Sequence, residues 1–175
     1  MRRQVTVGGM ATRSEPLSLE EEALWRALMR IVKMLPRHLD VDLVRGAGIT
    51  ASEYTTMMHL SESSNRELRM ADLAKATGLS ASRMTRLVDD LQSRGLVTKV
   101  ASASDARGNV ARLTPQGMAK LRTAWPVHLT SVRSRFLDHL DAEALGLVGQ
   151  ALSDVADQLE NRPPGPAGSR ARRGT

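Results

Sequence analysis

Apolar residues recur first at helical spacing. Leu24, Leu28, Ile31 and Leu35 share one face of a helix that begins near Leu17 or Ser18. Trp25, Met29 and Val32 widen the stripe towards two faces, which predicts contact with more than one neighbour. Pro36 should kink or interrupt this helix, because proline lacks a backbone donor and clashes with the preceding turn. The pattern resumes through Leu39 and Leu43, and Gly46 and Gly48 stop it. Thr50-Ala-Ser-Glu53 is a capping box that opens a second helix carrying Tyr54, Met57, Met58 and Leu60. The stretch SESSNRE after it reads as a polar loop.

Two short helices come next. Met70 to Thr77 turns Leu73 and Ala74 inward and ends at Gly78. Ser80 then caps a helix from Ala81 to Ser93 with Met84, Leu87, Val88 and Leu91 as its core stripe. LVTKVAS (96–102) and VARLT (110–114) alternate approximately about a Gly-Asn turn and predict a β-hairpin. Thr114 as cap with Pro115 at the first helical position starts a long helix, which Pro126 should kink. Asp141 caps the last helix, where Leu145, Val148, Leu152, Val155 and Leu159 recur at alternating spacings of three and four. That is a heptad-like seam in need of a partner surface. Two short helices joined by a glycine turn, followed at once by a hairpin, make a winged helix-turn-helix. The fold class is therefore mainly α with a small β-hairpin wing, an α+β arrangement. Residues 49–115 form the winged module, and 16–48 with 116–160 a helical dimerisation region.

Charge adds to this picture. The chain of 175 residues carries a formal net charge of +6. Residues 1–15 and 161–175 are rich in Gly, Pro, Ser and Arg and read as disordered basic tails. Residues 63–115 hold nine basic and five acidic groups, whereas residues 15–62 and 116–160 are each net acidic. The internal positive field thus coincides with the winged module, as expected of a segment that meets an anion. Aromatics are 2% of the chain, so the core rests on Leu, Val, Ala and nine Met. The absence of cysteine excludes disulfides and thiolate zinc sites. No apolar run approaches the roughly 18–20 residues of a membrane-spanning helix. The first residues lack the apolar segment of a secretory signal, which predicts a cytoplasmic protein.

Burying Met84, Leu87, Val88 and Leu91 sends Ser82, Arg83, Thr85 and Arg86 to the other side of their helix. A helix of this kind fits the major groove of B-DNA, roughly 12 Å wide, with its N-terminal residues at base edges. Arg83 and Arg86 can bridge guanine acceptors or pair with phosphates. Ser80, Ser82 and Thr85 can bond phosphates or base edges. In the turn Ser104-Asp-Ala-Arg-Gly-Asn109, Arg107 can enter the narrow minor groove while Asp105 orients its guanidinium; Asn109 closes the set.

Several motifs together resemble the multiple-antibiotic-resistance regulator (MarR) family. They are MADLAKATG (70–78), LSASRMTRLVDDLQSRGLV (79–97), and GLV followed after fifteen residues by LTPQG with Asp105 and Arg107 between. The resemblance implies a homodimer built from the first and last two helices, each subunit presenting one winged helix-turn-helix to double-stranded DNA. It also implies minor-groove insertion by Arg107 supported by Asp105, although family wings such as RDPEDRR carry more charge than ASASDAR. It implies an effector pocket between the first helix, the second helix and the start of the long helix after the wing. Trp25, His38, Tyr54, Met58, His59, Trp125 and His128 are the candidates to line it, for an aromatic or phenolic ligand. Both tryptophans and the single tyrosine lie in those segments. Trp25 and Trp125 can equally fill a dimer core.

Enzyme signatures are missing: the chain has no GxGxxG or Walker loop, no HExxH, no cysteine nucleophile and no GxSxG turn. No dense set of His, Asp and Glu at metal spacing is present, and no cofactor is expected. The reading is a dimeric, sequence-specific transcriptional regulator, a repressor released by a small ligand from a pseudo-palindromic operator. The competing readings are a helical protein-protein interaction module that kept the fold, and a chain that binds nucleic acid through its basic tails alone.

Overall fold

The computed structural model describes residues 16–101 and 109–161. The expected tails, apart from Asn161, and the wing tip with Asp105 and Arg107 lie outside the described residues. The chain divides into two compact units that meet between His38 and Leu39.

The first unit is the leading part of α1 (Leu19–Ala47). Ser18 and Glu21 form a reciprocal cap: the Glu21 amide donates to Ser18 Oγ at 3.1 Å, and the Ser18 amide donates to Glu21 Oε2 at 2.8 Å. The apolar stripe read from the sequence is present, yet Leu24, Trp25, Met29, Ile31 and Val32 are all exposed in the single chain. Pro36 does not interrupt α1. Its missing donor falls on an exposed stretch, where water can satisfy the freed carbonyl, and the helix runs unbroken to Ala47.

The second unit holds the rest. Its elements are α2 (Ala51–Glu62), β1 (Glu67–Arg69), α3 (Met70–Thr77), α4 (Ala81–Ser93), β2 (Val97–Ala101), β3 (Asn109–Leu113), α5 (Pro115–Arg135) and α6 (Ala142–Asn161). Local caps explain most of these boundaries. Thr50 accepts from the Glu53 amide, and Glu53 returns the bond to the Thr50 amide, so the capping box is complete. Ser80 and Thr114 cap α4 and α5 through the Arg83 and Gly117 amides. Asp141 caps α6 through the Ala144 amide. Like Pro36, Pro126 leaves its helix continuous.

The sheet differs from expectation. SESSNRE is not only a loop: it completes α2 and passes through a 3-10 turn at Ser64–Arg66, and its last residue starts β1. Asn65 and Arg66 both take positive φ, of 57° and 59°, and redirect the chain there. β1 pairs antiparallel with β3, placing Leu68 opposite Ala111 and Arg69 opposite Val110. β2 pairs with the other edge of β3, Val97 opposite Leu113 and Lys99 opposite Ala111. The wing hairpin thus supplies two strands of a three-stranded sheet, with β2 at one edge, β3 in the middle and β1 at the other edge.

One core serves this unit. Leu43, Ile49, Tyr54, Met57, Leu60, Leu73, Met84, Val88, Leu91, Val97, Ala111 and Leu113 are all buried in it. Burial of this apolar surface is the main stabilising term. Gly117 marks its tightest approach, since a Cβ there would sit 2.1 Å from the Leu96 carbonyl oxygen. α6 is the opposite case. None of its residues is buried, and its stripe of Leu145, Leu152, Val155 and Leu159 faces outward uncovered.

Candidate nucleic-acid interface

The helix-turn-helix is built by one glycine and one serine. Gly78 adopts φ 68°, a left-handed conformation natural to glycine, and its amide donates to the Lys75 carbonyl at 3.2 Å. Leu79 follows with a bond to the Ala74 carbonyl, and Ser80 then opens α4. Across α4, Met84, Val88 and Leu91 are completely buried and Leu87 is half-buried. Ser80, Ser82, Arg83, Thr85 and Arg86 are all exposed on the opposite side, as the spacing predicts.

Their chemistry is not uniform. Ser80 Oγ accepts from the Arg83 amide at 3.4 Å and lies 3.4 Å from Ser82 Oγ. The Thr85 hydroxyl donates to the Ala81 carbonyl at 2.9 Å, leaving its oxygen free only to accept. Arg86 Nε reaches the Ser82 carbonyl at 3.4 Å. The Arg83 guanidinium has no bonded partner among the described residues. The hydroxyls are thus partly committed to their own helix, and the arginines carry the unspent donors.

The neighbouring acids do not cancel that charge. Asp89 pairs with Lys99, Glu67 pairs with Arg112, and Asp90 pairs with Arg94 at 3.2 Å. Each carboxylate is thereby matched to a cation away from the first turns of α4, and Arg83 and Arg86 are left as surplus positive charge. Of the wing residues named from the sequence, Asn109 begins β3 opposite Ala101, while Asp105 and Arg107 fall outside the described residues.

The effector candidates divide between the two units. Trp25 and His38 belong to the first and are exposed there. Tyr54, Met58, His59, Trp125 and His128 belong to the second. Tyr54 is 2% exposed and stacks on His128, with centroids 4.4 Å apart. Trp125 lies 6.5 Å from His128 and is half exposed. Met58 packs against the core, and His59 is half-buried. Burial pushes the Tyr54 phenol up to about 12, helped by the Glu62 charge, and pushes the His128 imidazole down. Among the described residues, no group of three or more His, Asp or Glu could hold a metal ion, and no helix is long and apolar enough to cross a membrane.

Two polar clusters were not foreseen. Asp42 takes a two-pronged contact from Arg135, at 2.6 and 2.9 Å, and a bond from the Ser131 hydroxyl at 2.5 Å. These bonds hold its carboxyl well below the usual carboxylate range. Arg94, the C-cap of α4, reaches Glu53 on α2. Both are contacts between elements distant in sequence, and no local spacing announces them.

Comparison with known proteins agrees with this geometry. The MarR family model matches residues 47–108, a span that begins at the end of α1 and runs into the wing. Sco3205 of Streptomyces coelicolor, a MarR family transcriptional regulator crystallised in complex with DNA, is 35% identical in sequence. The match covers 89% of this chain and 96% of Sco3205, with a TM-score of 0.77. The chain belongs to the MarR family. Another MarR family regulator, AbsC of the same organism, is 33% identical over 85% of this chain and all of AbsC, with a TM-score of 0.77. The transcriptional repressor MprA of Escherichia coli K12 is 24% identical over 152 residues, 86% of each chain. These relatives are transcriptional regulators, and this chain is a DNA-binding transcriptional regulator of the MarR family.

Proposed function

We propose that this chain is a dimeric repressor that places α4 in the major groove of a pseudo-palindromic operator. The outward face of α4 carries the reading. Its apolar side is consumed by the core, its neighbouring acids are paired elsewhere, and Arg83 and Arg86 project with donors unspent. Arg107 enters the adjacent minor groove with Asp105 beside it. The two-fold axis comes from the uncovered apolar stripes of α1 and α6, which need a second copy to leave water. Sco3205 in complex with DNA supports the DNA-binding part of this reading, and MprA, a repressor, supports the direction of regulation.

Release by a small aromatic or phenolic ligand completes the reading. Two of the second unit's three Phe, Tyr and Trp side chains, Tyr54 and Trp125, gather about His128. A ligand that favours a dimer with the wrong spacing between its two α4 helices by a few kcal/mol empties the operator.

Selection of bound duplexes from a random pool tests this directly. A two-fold symmetric consensus, with half-sites about one helical turn apart, is the expected product. Recovery of unrelated sequences, with affinity set only by salt, would reject operator reading.

A further inference from the structure

We infer that Glu53 and Arg94 form a positioning joint for operator recognition, fixing the end of α4 against the start of α2 and so aiming Arg83 and Arg86. The inference rests on the DNA-binding reading above. Glu53 is 5% exposed and uses both carboxylate oxygens. Oε2 accepts from the Thr50 amide at 2.6 Å, and Oε1 accepts from Arg94 Nη1 at 2.5 Å. Arg94 in turn donates to Asp90 at 3.2 Å on its own helix, and through Nη2 to the Gly48 carbonyl at 3.4 Å in the turn after α1. Its main-chain carbonyl accepts from Gln116 on α5 at 3.5 Å. One residue therefore gathers the end of α4, the turn after α1, the first turn of α2 and the first turn of α5.

A buried carboxylate needs its partner, because removing one member leaves an uncompensated charge away from water. Burial disfavours the Arg94 cation, yet the Asp90 and Glu53 carboxylates outweigh that and hold the guanidinium above its ordinary value. The pair is also placed where orientation is set. Twelve residues of helix separate Arg94 from Ser82, a lever of about 18 Å at the usual rise per residue. A rotation of about 5° at the Arg94 end moves the reading side chains by roughly 1.5 Å, and base-edge hydrogen bonds tolerate only about 0.5 Å. Ordinary surface ion pairs have no such leverage.

The test uses the full chain, its selected operator and a scrambled duplex of equal length at one salt concentration. Glu53→Gln, Arg94→Gln, the double variant and Arg94→Lys are compared with wild type, and binding is measured well below the lowest Tm. Each single glutamine variant is expected to lose about tenfold or more in operator affinity, with scrambled-duplex affinity held within about twofold. The double variant should lose no more than the worse single, since both break one interaction. Arg94→Lys should fall between Arg94→Gln and wild type, because an ammonium reaches Glu53 but cannot also span to Gly48. Should Glu53→Gln not fold, Arg94→Lys against Arg94→Gln gives the same comparison. An unchanged ratio of operator to scrambled affinity in the folded variants, with only Tm lowered, would overturn the joint and leave the pair a stabilising contact. Wild type that prefers no duplex would overturn the DNA reading itself, and the inference with it.

Discussion

The Tyr54 ring lies against the His128 imidazole at 4.4 Å and 29° from parallel, and neither the Tyr54 hydroxyl nor His128 Nδ1 has a hydrogen-bond partner among the described residues. A buried hydroxyl without a partner costs roughly 1–3 kcal/mol, whereas a ring without it keeps the stack. Tyr54→Phe should therefore keep or raise stability, by up to about 1 kcal/mol, read as an unchanged or higher Tm. A clear fall would mean that water or a ligand bonds the hydroxyl in solution.

The same pair predicts a pH profile. Burial lowers the His128 imidazole, so below its ordinary value of about 6.5 the unfolded chain binds a proton that the folded chain refuses, and stability falls as pH drops. Tyr54 titrates near 12 when folded and near 10 when unfolded, so stability also falls as pH rises between those values. Thermal unfolding across pH should show both limbs. His128→Phe should flatten the first and Tyr54→Phe the second.

Asp42 governs a separate window at lower pH. Bonds from Arg135 and then Ser131 depress its carboxyl, so its contribution is present above about pH 4 and is lost on further acidification. Asp42→Asn should lower Tm at neutral pH and narrow its gap to wild type near pH 2. An undiminished gap in acid would dissociate that charge from stability.

Gly117→Ala should destabilise by at least about 1–3 kcal/mol, because the new methyl group meets a backbone oxygen that cannot yield without moving β2. Chemical denaturation measures this. A near-wild-type midpoint would show that the Leu96 carbonyl yields to the added methyl group at little cost.

Arg83→Ala and Arg86→Ala should each cost roughly 1–3 kcal/mol of operator affinity with Tm unchanged. Loss confined to one base position in each half-site identifies a base contact, and uniform loss across sequences identifies a phosphate contact. Arg107→Ala should likewise weaken operator binding without lowering Tm; unchanged binding would remove the wing arginine from the interface.

What was legible in the sequence was local. Thr50, Ser80 and Thr114 each bond an amide three residues on, so α2, α4 and α5 begin where their hydroxyls stand. The outer face of α4 followed from spacing alone, since burying Met84, Val88 and Leu91 leaves Arg83 and Arg86 nowhere else to go. β1 was illegible because three residues carry no period, and their pairing depends on β3 far along the chain. The bond from Arg94 to Glu53 spans 41 residues, and Glu53 had already been explained by its cap. Pro36 does not break α1 because its missing donor falls on an exposed stretch, a circumstance that the local sequence does not announce.

β3 holds both ends of the helix-turn-helix. β1 runs directly into α3, α4 leads through Leu96 into β2, and each of these strands is laced to an opposite edge of β3. The reading module is thus a closed ring of chain, stapled at Arg69 and again at Val97 to a single strand. A ring clasped in this way resists internal shear, since α4 cannot slide past α3 without opening a ladder. A rearrangement of this module that keeps both ladders intact has to carry α3, α4 and β3 together.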